Sequence, residues 1–380
     1  MARTVSQITD RAQRGAIEVG LIASLAFLAF AAGRSVSATA STPRPVEGRV
    51  QGKADDNASL AAAAEPGRGR QARTPTQFGE RAWKDILVRT YREFMEDRIT
   101  TVAAGIAFYG LLAFFPGIAA LVSLYALIAD PATIRDHLFQ LSFLLPPNAF
   151  AIVEDQITRV VSQGGTELGA KFALGLGFSI WSANAGMKAL LDGLNVAYEE
   201  AEKRSFIRLN LISLGLTAAT LVALLVIIGL SAVLPEIFDA EVNSKAATVG
   251  LNILRWPVLL ALLAVGLSIL YRFGPSRNEP QWRWVSWGGL VAAFLMAAIS
   301  LALSWYLTDL ADYNKTYGSL GAVIGLITWM WLSACAVLVG AELNAEMEHQ
   351  TALDTTIGEP KPLGARGAEM ADTLGVSVAH

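Results

Sequence analysis

The stretch YNKTYGSLGAVIGLITWMWLSACAVLVGAELNAEME, residues 313–348, decides the fold. From Thr316 to Ala341 it carries no charge, and charge returns at Glu342 and Glu346. An uncharged apolar run longer than about 18 residues can cross a bilayer. Gly318, Gly321 and Gly325 fall three and four apart, so they share one helix face. Small residues on one face let a neighbouring helix approach at backbone distance. The spacing predicts a closing transmembrane helix whose first half packs tightly. Its last turn, with Glu342 and Asn344, carries polar chemistry. Gly321 and Gly325 suit self-association into a homo-oligomer and packing within one chain equally well.

Composition extends this reading to the whole chain. Hydrophobic residues make up 53% and charged residues 17% of the 380, where a soluble domain carries about a quarter charged. The charges cluster between long apolar runs, the pattern of a polytopic membrane protein. The expected partner is the lipid bilayer. A net charge of −3 offers no basic surface for nucleic acid. Cys335, the single cysteine, lies in the last apolar run, so no intrachain disulfide can form.

Residues 1–79 read as an N-terminal extension. Its apolar segment, 19–33, follows Arg3, Arg11 and Arg14 and is short for a span. With Ala38-Thr39-Ala40 it imitates a secretory signal, but cleavage would leave an arginine-rich segment outside. An extra span, a surface helix and a start placed too early all fit. Residues 34–76, rich in Ala, Ser, Pro, Gly and Arg, are expected to be disordered. Residues 350–380 are expected to be a disordered tail.

In the segment 80–98, Trp83, Leu87, Tyr91, Phe94 and Met95 recur at helical spacing, with Arg81, Lys84, Arg89, Arg92 and Arg98 among them. This helix either packs on the end of the bundle or lies on anionic lipid. Spans are expected at about 99–129, 170–190, 209–235, 256–271, 284–308 and 316–342, a six-transmembrane-helix all-α bundle. Pro116 is expected to kink the first. Gly177, four residues from Ala173, is expected to serve helix packing in the second. Trp282, Trp284 and Trp287 read as an aromatic belt opening the fifth.

Lysine and arginine set the orientation. They are dense before the first span, at Lys203, Arg204 and Arg208, and at Arg272, Arg277 and Arg283. The alternate connections are poorer. Positive charge marks the cytoplasmic side, so both ends of the core, and the C-terminus, are expected inside.

Several motifs in order resemble one family: AAGIAFYGLLAFFP (103–116), WSANAGMKALLDGLNVAYEE (181–200), RWP (255–257), YRFGP (271–275), YNKTYGSLGA (313–322) and GAELNAE (340–346). Over residues 80–349 the chain resembles the YihY/BrkB family of bacterial inner-membrane proteins. The resemblance implies six transmembrane helices in the cytoplasmic membrane. It implies little about activity, since the family has carried a ribonuclease BN label, a serum-resistance virulence label and suggestions of transport.

The residues argue against an enzyme. Metal-dependent hydrolysis needs clustered ligands, and His137, His349 and His380 are far apart in the chain. No phosphate loop or HExxH motif occurs. No catalytic residue, metal or cofactor is expected. Polar groups near a membrane are costly, which makes them functional candidates. Asn184, Asp192, Asn195, Tyr198, Glu342 and Asn344 are expected to line one polar cavity facing the cytoplasm. Two functions follow: a transporter or lipid-handling protein of the cell envelope without its own ATPase, or a structural scaffold acting through partners.

Overall fold

The computed structural model describes residues 63–127, 133–134, 147–163, 170–241, 245–307 and 320–378. The apolar segment 19–33, most of the extension and residues 308–319, Gly318 among them, lie outside these. Nine α-helices stand among the described residues. They are α1 (Glu80–Glu96), α2 (Ile99–Tyr125), α3 (Pro147–Gln163), α4 (Ala170–Ala197), α5 (Phe206–Glu241), α6 (Lys245–Phe273), α7 (Trp282–Trp305), α8 (Leu320–Gln350) and the single turn α9 (Glu369–Asp372). Five of them (α2, α5, α6, α7 and α8) are long and apolar enough to cross a membrane. The second span expected at about 170–190 falls within the 28-residue α4, which carries Asn184, Lys188 and Asp192 and is not one of these five. The all-α membrane architecture stands.

The closing helix α8 is the hub: it packs against α1, α2, α3, α4, α7 and α9. In lipid such packing rests on close fit, not on burial from water. Small residues supply the fit. An atom added at Gly186 would meet Ala113 Cβ at 3.0 Å, which brings α4 against α2. Gly288 of α7 and Gly340 of α8 face each other so closely that a Cβ on either would strike the other's carbonyl oxygen. Gly321 and Gly325 are buried. Gly177 is exposed, with open space where its side chain would be, so it packs against nothing. Pro116 and Pro257 sit inside α2 and α6 without ending them.

The aromatic belt is split. Trp284 is buried beneath Phe78, while Trp282 is exposed and lies over Arg272 at 4.5 Å. On α1 the expected apolar set also divides. Ala82, Ile86 and Phe94 turn inward, and Leu87, Tyr91 and Met95 remain 56%, 37% and 46% exposed. Arg81, Lys84 and Arg92 are exposed on the same helix.

The tail expected to be disordered is instead folded over residues 351–378, together with 63–79. The Arg366 guanidinium donates to the carbonyls of Ala352, Leu353, Lys361 and Ala371. Thr351 Oγ1 donates to Ala72 O at 2.8 Å, and Gly375 N to His349 O at 2.9 Å. These segments contain few large apolar residues, so hydrophobic content gave no sign of order. Backbone and arginine hydrogen bonds hold them.

Candidate functional site at the polar end of the bundle

Four segments meet at one end: α1, the close of α4, the α6–α7 loop and the last turns of α8. The close of α4 is a Schellman motif. Glu200 N donates to Asn195 O at 2.8 Å and Glu199 N to Val196 O at 3.0 Å, with Glu199 in the left-handed region at φ 52°. Glycine is the usual residue there, and another residue pays roughly 1–2 kcal/mol. The turn fixes Asn195, Tyr198 and Glu200. Asn195 Oδ1 accepts from Ser276 N at 2.8 Å, which braces the α6–α7 loop.

From the other side α8 delivers four polar residues within two turns, all buried: Glu342, Asn344, Glu346 and Glu348. Asn344 Oδ1 accepts from Gly288 N at 2.8 Å, and its Nδ2 donates to Val285 O at 3.2 Å. It therefore fastens α8 to α7. Glu346 is bound by Arg89 of α1, whose Nη2 also donates to Gln350 Oε1 at 2.6 Å. Glu348 pairs with Arg277 at 2.7 Å and accepts from Thr355 Oγ1 at 2.7 Å. The Arg277 guanidinium lies 4.1 Å over the Tyr198 ring.

Glu342 is the exception. It is 1% exposed, and its Oε1 has no hydrogen-bond partner. The Tyr198 hydroxyl, fully buried on α4's closing turn, also has none. Around Glu342 stand the carboxylates of Glu93, Asp97, Glu199 and Glu346. Burial pushes the Glu93 carboxyl up to about 7, helped by Glu199 and Glu346. Burial also raises Asp97 to about 6, again with Glu199 adding repulsion. This end of the bundle therefore holds carboxyls that take up and release protons near neutrality.

The six residues expected to share a cavity do not all meet. Asn195, Tyr198, Glu342 and Asn344 lie in this network. Asn184 sits further along α4, accepting from Thr217 Oγ1 of α5 at 3.2 Å. Asp192 is exposed on the flank of α4. The gathered residues are tied to neighbouring segments: Asn195 to the α6–α7 loop, Asn344 to α7, and Tyr198 beneath the Arg277 guanidinium. Sequence reasoning missed Arg89, Arg277, Glu346, Glu348 and Gln350 as parts of the network. The Glu342–Glu346 and Asn344–Glu348 spacings put these groups on adjoining faces of one helix, but nothing local marks the distant arginines as their partners. Among the described residues no group of three or more His, Cys, Asp or Glu side chains is close enough to hold a metal ion.

The family model described as Virulence factor BrkB matches residues 90–363. The chain belongs to the BrkB family. Almost the whole polar end, including the tail as far as residue 363, falls inside the BrkB match. The ribonuclease-like protein YfkH of Bacillus subtilis is 31% identical over 252 residues, 64% of this chain and 88% of its own length. A UPF0761 membrane protein of Cronobacter sakazakii is 27% identical over 299 residues, 77% of this chain and 94% of its own. Another, from Methylibium petroleiphilum, is 26% identical over 276 residues; the match spans 69% of this chain but only 62% of that relative. No solved structure matches the chain. The two UPF0761 relatives are named membrane proteins, in agreement with the architecture, and the ribonuclease wording belongs to the name of YfkH.

Proposed function

We propose that this BrkB-family chain is a transporter or lipid-handling protein of the bacterial cell envelope, working without an ATPase of its own. The observation that carries the reading is Glu342. A carboxyl buried in a membrane helix with an oxygen lacking any hydrogen-bond partner is expensive. Packing gives no reason to keep it, since glutamine or leucine would fill the same space. A carboxyl that takes up a proton or meets a passing cation does give a reason. Beside it Glu93 and Asp97, raised to about 7 and about 6, supply proton acceptors near neutrality. In this reading the polar end faces the cytoplasm, supported by the lysine and arginine counts, and the chain resides in the inner membrane. The outer face of α1 lies on anionic lipid: Leu87, Tyr91 and Met95 enter the interface while Arg81, Lys84 and Arg92 meet headgroups.

A second reading, a scaffold acting through partners, draws on the same exposed face of α1 and on the folded cap. Flux in proteoliposomes separates the two. Labelled phospholipid and a panel of ions and solutes should include one that the reconstituted protein moves across the bilayer. No flux across an adequate panel would favour the scaffold.

A further inference from the structure

The α4–α5 and α6–α7 connections enclose a cleft of about 450 Å³ at the polar end. Lys203, Arg204, Arg208, Arg272 and Arg277 line it, with Glu279 the one carboxylate on its wall. Lys203 N donates to Ser276 Oγ at 2.9 Å and fixes the two connections together. Four of these cations already face carboxylates: Lys203 with Glu200, Arg204 with Glu202, Arg272 with Glu279 and Arg277 with Glu348. Donors nevertheless remain unused. Arg277 is 1% exposed, yet its Nε and Nη1 are buried without a hydrogen-bond partner, and so is Arg272 Nε. Buried guanidinium donors left unmade cost free energy that an anion would recover. The helix α5 begins at Phe206, so the positive end of its dipole lies at the same cleft.

The surroundings indicate what kind of anion fits. Phe206, Ile207 and Leu211 at the start of α5 are 76%, 71% and 67% exposed. Ile212 and Phe273 line the cleft itself. A cationic mouth thus merges with an apolar flank on one helix, and a molecule with a phosphate at one end and hydrocarbon at the other matches both. We propose that this cleft binds the phosphate of an anionic phospholipid headgroup, with the acyl chains lying along α5. The inference rests on the chain's place in a bilayer and not on transport, so loss of the transport reading leaves it standing.

The test uses the full chain in nanodiscs of phosphatidylcholine doped with phosphatidylglycerol, and measures which lipid is retained on extraction into detergent. Wild type should enrich phosphatidylglycerol over phosphatidylcholine, and the exposed-side variants Lys203→Gln and Arg208→Gln should cut that enrichment about tenfold. Arg159→Gln, at the exposed pair with Asp155 on α3, should leave it unchanged. Thermal stability with inorganic phosphate alone distinguishes the source. A shift in wild type that is absent in Arg208→Gln supports the phosphate site but assigns it to free phosphate. Equal retention of both lipids with no phosphate effect would overturn the proposal. So would enrichment that Lys203→Gln and Arg208→Gln both leave intact.

Discussion

Arg277 and Glu348 meet at 2.7 Å with their side chains only 1% and 0% exposed. The pair joins the α6–α7 loop to the last turn of α8, and through Thr355 to the folded tail. Removing one partner leaves an uncompensated buried charge. We expect Arg277→Leu or Glu348→Leu to cost about 3–5 kcal/mol, and the double variant much less than the sum. Thermal unfolding of the purified protein in detergent measures both.

The crossing of α7 and α8 makes a sharper demand. A methyl at Gly340 would lie 2.6 Å from Gly288 O and from the Tyr271 hydroxyl. Gly288→Ala and Gly340→Ala should therefore each destabilise by about 1–3 kcal/mol or more. Gly177→Ala, in open space within α4, should be neutral or stabilising by about 0.5–1 kcal/mol. Comparing the three by the same unfolding assay tests the placement of the close contact.

Stability should fall as pH rises from the ordinary carboxyl range towards neutrality. Glu93 is raised from 4.5 to about 7 and Asp97 from 3.8 to about 6. Between the ordinary and the raised values the folded chain holds more protons than the unfolded one, so raising pH penalises the fold. The penalty is complete above about 7. Glu93→Gln and Asp97→Asn should flatten the decline; an unchanged profile in both would remove these groups from the account.

Glu199 offers a separate probe of the same corner. Its φ of 52° suits glycine, and burial raises its carboxyl above the ordinary range. Glu199→Gly should stabilise the chain by about 1 kcal/mol. A destabilised variant would show that the side chain contributes more than its backbone strain costs.

Much of the fold was legible in the sequence because apolar run length and charge density are local signals. The run ending at Ala341 marked α8, and α8 is the helix on which the others converge. The site was legible only in part. Glu342 and Asn344 declare themselves as polar groups at the end of an apolar run. Arg89 looked like one more cation on a basic helix, yet it is buried against Glu346, 257 positions away. Arg366 looked like part of a polar tail, yet it orders that tail by binding carbonyls. Pairings of this kind depend on which helix ends meet, and neither periodicity nor composition encodes that.

The central claim is that Glu342 works in transport instead of packing. The most direct measurement is flux in proteoliposomes for wild type, Glu342→Gln and the exposed Asp192→Asn, each confirmed as folded and monodisperse. The account predicts at least about a tenfold loss for Glu342→Gln, equivalent to ~1.4 kcal/mol of barrier. It predicts near-normal flux for Asp192→Asn. Wild-type flux in Glu342→Gln would contradict it.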